Sequence, residues 1–187
     1  MLSKSISRSI SMLAIAGLLS AGFAAAEPTT KAQQLELQKE GIELIRQLED
    51  VARDIHFNAD RLNTLGHRSS KFTRQHHLAQ IKELVNDGLQ PALKRLTEIQ
   101  PDLKAWHWDV IDKMLVSAKG LAADTNSAIV NQNDNGALPT ALNPEYRHLV
   151  SRIAEHAENL VKTSDAAGDY AAAYEHAEEA GLKLPKH

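Results

Sequence analysis

The sequence predicts an all-α protein, an antiparallel up-down-up-down four-helix bundle preceded by a signal peptide. Four stretches carry apolar residues at intervals of three and four, and two of the connections between them are short. No stretch alternates apolar and polar residues as a half-buried strand would. Of the 187 residues, 43% are hydrophobic and 24% are charged, a balance that is typical of a globular domain.

Residues 1–26 have the composition of a signal peptide. Lys4 and Arg8 form a basic start, residues 12–19 are an apolar run, and residues 24–26 are small, as a cleavage site requires. The apolar run is too short and too weakly apolar for a membrane anchor. We therefore expect residues 27–187 to form one mature domain without a transmembrane segment, in the periplasm of a bacterium or outside the cell.

The first two helical stretches each carry an unbroken apolar stripe. The first stripe consists of Ile45, Leu48, Ala52, Ile55, Ala59 and Leu62, and the second of Leu78, Ile81, Val85, Leu89, Ala92, Leu96 and Ile99. Gly66 is the expected end of the first helix, and Ser69 or Ser70 the expected cap of the second. Pro91 has no amide donor and crowds the carbonyl of Asp87, so we expect a kink there.

The third and fourth stretches are separated by a polar segment. The third stripe consists of Ile111, Met114, Leu115, Ala118, Leu121, Ala122 and Ile129. Residues 131–142 are polar and contain Gly136 and Pro139, which predicts a long loop. Asn143-Pro144-Glu145 is a strong helix start. The fourth stripe consists of Tyr146, Leu149, Ile153, His156, Leu160, Thr163, Ala167, Tyr170, Tyr174 and Ala177.

Two short motifs carry a resemblance. Trp106 with Val110-Ile111-Asp112 lies at the start of the third helix, and Asn143-Pro144-Glu145-Tyr146 opens the fourth. The chain thereby resembles uncharacterised exported four-helix-bundle proteins of soil bacteria over most of its mature length. The resemblance implies the fold and no particular function.

Composition excludes several classes of protein. The chain has no cysteine, which excludes disulfides, iron–sulfur clusters, thiolate zinc sites and cysteine catalysis. The net charge is −3, and removal of Lys4 and Arg8 with the leader makes the mature chain more acidic, so we expect no nucleic-acid partner. There is no Gly-x-Ser-x-Gly, His-Glu-x-x-His or phosphate-loop motif, so we expect no enzyme.

Histidine is the unusual component, with nine residues. His56, His77 and His156 lie on helices one, two and four, about 14, 10 and 18 Å below one end of an antiparallel bundle. They are candidate ligands for a divalent metal, although their vertical spread exceeds that of a metal shell with bonds of about 2.1 Å. The alternative for His156, which lies on the fourth stripe, is a buried imidazole hydrogen-bonded to Asn58 or Asp54.

Trp106-His107-Trp108 is the one aromatic cluster. It either lines a pocket for a small ligand or closes the end of the core with one ring while the rest stays exposed. The sequence thus predicts an exported, soluble, non-enzymatic helical bundle without a cofactor, in a binding or envelope-accessory role. It does not identify a partner, and a protein and a small ligand are both open. The alternative is a bundle that binds a metal or cofactor through its core-facing histidines.

Overall fold

The chain is described here by a computed structural model, which covers residues 30–64, 70–135 and 142–181. The expected signal peptide and Gly66 lie outside these residues. The elements are α1 (Lys31–Thr64), α2 (Lys71–Glu83), a π-helical turn (Leu84–Leu89), α3 (Gln90–Ile99), a 3₁₀ turn (Gln100–Asp102), α4 (Ala105–Asn135) and α5 (Pro144–Glu179). Because α2, the π-helical turn and α3 are continuous, the described chain has four long helical segments and no strand, which confirms the all-α prediction.

The predicted helix starts are confirmed at two positions. Ser70 precedes α2, and its Oγ accepts a hydrogen bond of 3.1 Å from the backbone N–H of Thr73. Asn143 precedes α5, and its Oδ1 accepts a bond of 3.0 Å from the N–H of Tyr146. Pro144 follows as the first residue of α5, where its missing amide costs nothing.

The helix around Pro91 continues through the turn of π-helix that precedes it. The N–H of Gln90 donates to the carbonyl of Val85, five residues back. Such a turn accommodates Pro91, which has no N–H to donate to the carbonyl of Asp87. It also raises the number of residues per helical turn above the 3.6 of an α-helix. The two successive four-residue steps from Ile81 through Val85 to Leu89 coincide with it, and all three residues are buried.

The four stripes meet in one core. Ile45, Ile55, Ile81, Ile111, Ile153 and Leu160 are each at most 3% exposed. Every member of the first two predicted stripes is buried. No helix among the described residues is long and apolar enough to cross a bilayer.

The predicted loop at residues 131–142 is partly wrong, because α4 continues to Asn135. Asn131 and Gln132 are buried in this last turn. Asn131 accepts a bond of 2.7 Å from the Asn143 side chain, and Gln132 accepts one of 2.9 Å from Arg74 Nε. These polar residues form buried hydrogen bonds between helices. Hydropathy alone cannot distinguish such residues from the polar residues of a loop. Residues 136–141 are not described.

Side-chain pairs give the relative directions of neighbouring helices. Asn131 lies against Asn143 and Asp124 against Arg152, so α4 and α5 run in opposite directions. The α1 residues Glu40 and Asn58 pair with Arg95 and His77, so α1 also runs opposite to the α2–α3 segment.

Candidate functional site

An open groove of about 720 Å³ runs between α4 and α5. We call it the Trp106 groove. Its apolar lining is formed by Trp106, Val110, Val116, Ala166, Ala167 and Tyr170. Its charged residues are Asp112, Lys113 and Lys162. The small residues Ala166 and Ala167 leave the space between the helices that larger side chains would fill.

Trp106 stands at one end of this groove. It lies in the first turn of α4, and its ring stacks on that of His107 at a centroid distance of 3.6 Å. It also contacts the ring of Tyr170 of α5, with the centroids 5.1 Å apart. The indole Nε1 is buried and has no hydrogen-bond partner among the described residues. Trp106 therefore presents a fixed aromatic wall to the groove.

His107, which stacks on the Trp106 ring, is itself held in the core. It is 1% exposed, and its Nδ1 lies 3.2 Å from the backbone carbonyl of Lys104. Because a carbonyl only accepts, Nδ1 carries the proton and Nε2, which is buried without a partner among the described residues, does not. Burial lowers the pKa of His107 to about 4, although the Lys104 carbonyl opposes that shift. The ring is therefore neutral near neutral pH.

The polar side of the groove carries more positive than negative charge. The two positive residues of the lining are Lys113 on α4 and Lys162 on α5, and its one negative residue is Asp112. The ammonium of Lys162 is 2.7 Å from Glu158, but both side chains are at least half exposed, so solvent screens that pair.

A smaller cavity of about 180 Å³ lies on the other side of α5, against α1. We call it the Ser164 cavity. Trp106 and Ala167 line both spaces, so the indole is a wall shared between them. The hydroxyl of Ser164 is buried and forms no hydrogen bond with the described residues.

The three candidate metal ligands have different surroundings. His77 Nδ1 lies 2.9 Å from Asn58 Oδ1, and burial, with smaller contributions from His76 and Arg61, lowers the pKa of His77. His56 faces α5, where it assists Lys162 in lowering the pKa of Glu158. His156 contacts α4.

No group of three or more histidine and carboxylate side chains within the described part of the chain is placed to hold a metal ion. The structure therefore does not bring His56, His77 and His156 together as one ligand set.

The expected surroundings of His156 are wrong. Ala157 takes the core position, while His156 lies at the edge of the core, 24% exposed in its side chain. Its partner is Asp124 of α4, with 3.2 Å between Nε2 and Oδ2, whereas Asn58 bonds His77 and Asp54 is exposed. Asp124 is buried and is also 2.9 Å from Arg152 Nε.

No model of a protein family, curated protein or solved structure matches the chain. The resemblance to exported bundle proteins of soil bacteria stays a prediction.

Sequence reasoning identified the aromatic cluster but not the residues of α5 that complete the groove. Trp106 is half buried, His107 is fully buried and Trp108 is 45% exposed. Lys113 lies seven residues after Trp106, which places both on one face of a helix and was a usable signal. The contributions of Lys162 and Ser164 depend on how α5 packs, and no local pattern marks them.

Proposed function

We propose that the protein is an exported, non-enzymatic, up-down-up-down helical bundle that binds a small organic anion with an apolar body in the Trp106 groove. The observation that carries this proposal is the position of Trp106, which contacts the rings of both His107 and Tyr170 at the end of an apolar groove. The groove volume of about 720 Å³ falls within the ~300–1,000 Å³ of small-molecule sites.

The charges of the groove favour an anion. Lys113 lies seven residues from Trp106, about 10 Å along α4. Lys162 lies five residues from Ala167, about 8 Å along α5. Since the two helices run in opposite directions, both ammonium groups lie toward the same end, and a chain with its tail at Trp106 would place a carboxylate between them. An eight-carbon acid has about this length.

Export rests on the pattern of residues 1–26, and the binding role on the absence of a catalytic motif from the sequence together with the apolar groove. The histidine alternative gains no support from the separate surroundings of His56, His77 and His156.

The experiment is a titration with octanoate, followed by calorimetry and by tryptophan emission in the Trp108→Phe variant, in which Trp106 is the remaining tryptophan. We expect heat release and a change in Trp106 emission, with 1-octanol binding about five to ten times more weakly. That factor corresponds to about 1–1.4 kcal/mol, the size of one charge-assisted contact.

Three variants serve as controls. The Trp106→Phe variant, which keeps Trp108, should lose the emission change. Replacement of both Lys113 and Lys162 by Gln should remove the preference for octanoate over 1-octanol. Absence of octanoate binding at millimolar concentration would reject the proposal.

A further inference from the structure

The Ser164 cavity has apolar inner walls and two unused hydrogen-bonding groups. Ile42 and Ile45 of α1 and the ring of Trp106 form the walls, and Ser164 lies on the α5 side. Ser164 is 1% exposed, and neither its Oγ nor the Trp106 Nε1 has a partner among the described residues. Buried polar groups are nearly always satisfied, so this pair requires an explanation.

Gly168 lies on the lining of the cavity and carries no side chain. A Cβ placed on Gly168 would meet no atom within 4 Å, so the glycine faces free space. Glycine within a helix costs about 0.5–1 kcal/mol relative to alanine, and the backbone here is ordinary helix, which does not require it. Since Gly168 lies on the lining, we expect a large side chain at this position to reduce the space between α1 and α5.

The charges at the cavity mouth favour an uncharged occupant. Glu49 and Asp165 line it, and Arg53 holds both, at 2.6 and 3.0 Å, across α1 and α5. Asp169 and Arg46 also lie on the lining. A carboxylate would meet three acidic side chains here. An ammonium group has no lone pair, so it cannot accept from Trp106 Nε1, which only donates.

The volume sets the size of the occupant. A cavity of ~150 Å³ in another helical protein accommodates benzene, so about 180 Å³ accepts one six-membered ring with a single substituent. An oxygen on that ring would supply the acceptor that the Trp106 N–H lacks, or a partner for the Ser164 hydroxyl.

We propose that the Ser164 cavity is a second binding site, separate from the Trp106 groove, for a small uncharged ring compound that carries a hydroxyl or carbonyl oxygen. Because Trp106 is a wall of both spaces, occupancy of this site is reported by the same indole.

The probe is phenol, with toluene as the matched ring that lacks the oxygen. Each is titrated against the Trp108→Phe protein by calorimetry and Trp106 emission. We expect phenol to bind at least five times more tightly than toluene. Ser164→Ala removes a hydroxyl that forms no hydrogen bond with the described residues. This variant should bind phenol and toluene with equal affinity. Gly168→Leu, which fills the cavity, should abolish phenol binding.

Ala172→Leu is the matched control for Gly168→Leu, since residue 172 lies one turn further on the same side of α5 and is exposed. It should leave phenol binding unchanged. Equal affinities for phenol and toluene, no binding of phenol, or phenol binding that survives Gly168→Leu would each overturn this site. Octanoate binding should be unaffected by Ser164→Ala. If the protein binds phenol but does not bind octanoate, the groove proposal is rejected and the cavity proposal stands.

Discussion

The imidazole of His156 lies against the backbone of Gly120. A Cβ built on Gly120 would be 3.0 Å from Nδ1 of that ring and 2.5 Å from Nε2, and the second distance is shorter than Cβ atoms adopt in proteins. The next turn of α4 carries Asp124, whose carboxylate is 3.2 Å from the same Nε2. Glycine at position 120 therefore allows the ring to reach a buried carboxylate.

Gly120→Ala should destabilise the protein by about 1–2 kcal/mol. The clash displaces His156 from Asp124, and overpacking of this kind costs about 1–3 kcal/mol, from which the better helix propensity of alanine recovers up to about 1 kcal/mol. The measurement is the free energy of unfolding from urea denaturation.

Gly168→Ala is the matched control, since its Cβ meets nothing within 4 Å and the change should stabilise α5 by up to about 1 kcal/mol. In a His156→Ala background the cost of Gly120→Ala should disappear. Equal stability of the two glycine variants would contradict the contact.

The stability of the protein should fall on acidification because of His107. Its folded pKa of about 4 lies below its ordinary value of 6.5, so the unfolded chain binds more protons between these two values. The free energy of unfolding therefore has its full value, as far as His107 is concerned, above about pH 6.5. It decreases as the pH falls toward about 4. The loss of stability amounts to at most about 3.4 kcal/mol, at about 1.36 kcal/mol for each unit of pKa.

Urea denaturation between about pH 4.5 and 7.5 measures this loss. His107→Phe, which keeps a ring against Trp106, should have a shallower pH dependence than the parent protein. His148→Ala serves as the control, because His148 is exposed on α5. Parallel curves for His107→Phe and the parent would show that His107 does not titrate in this way.

The sequence predicted the core wherever large aliphatic residues repeat, and it was least accurate where small or polar residues are buried. On α5 the predicted Ile153, Leu160 and Ala167 are in the core, but the position that follows each of them in the predicted stripe is shifted by one residue. The buried residues are Ala157, Ser164 and Ala171. A step of three and a step of four both fit a 3.6-residue repeat. Periodicity alone therefore could not decide whether the third or the fourth residue after each core residue is buried.

The candidate site was predictable only in part for a related reason. Trp106 is conspicuous in a chain with two tryptophans, and its partner His107 is adjacent. Asp124 and Ser164 are ordinary surface residues by composition, and only the packing of α5 against α1 and α4 buries them. The partners of a buried polar group on different helices are set by helix rotation, which the sequence does not specify locally.

The buried polar residues near the end of α4 should respond in opposite ways to substitution. Tyr146→Phe removes a buried hydroxyl that has no hydrogen-bond partner among the described residues, so stability should stay the same or rise by up to about 1 kcal/mol. Gln132→Leu removes the acceptor of Arg74 Nε and should cost about 1–3 kcal/mol. Burial raises the pKa of Tyr146, so its phenol stays protonated in these measurements.

Thermal and urea unfolding of both variants test this contrast. A loss of more than about 1 kcal/mol in Tyr146→Phe would show that the hydroxyl is hydrogen-bonded in solution.

Gly88 should be intolerant of alanine because of Val51. It lies in the π-helical turn, where a Cβ would be 2.9 and 3.0 Å from the two methyl groups of Val51 on α1. Valine has one strongly preferred rotamer in a helix, so its methyl groups cannot turn away cheaply. We expect Gly88→Ala to cost about 1–2 kcal/mol in the free energy of unfolding, despite the gain in helix propensity.

Val51→Ala removes both methyl groups, so in that background Gly88→Ala should be neutral or stabilising. If Gly88→Ala costs the same with and without Val51, the cost arises from the π-helical backbone and the contact between α1 and this turn is not its cause.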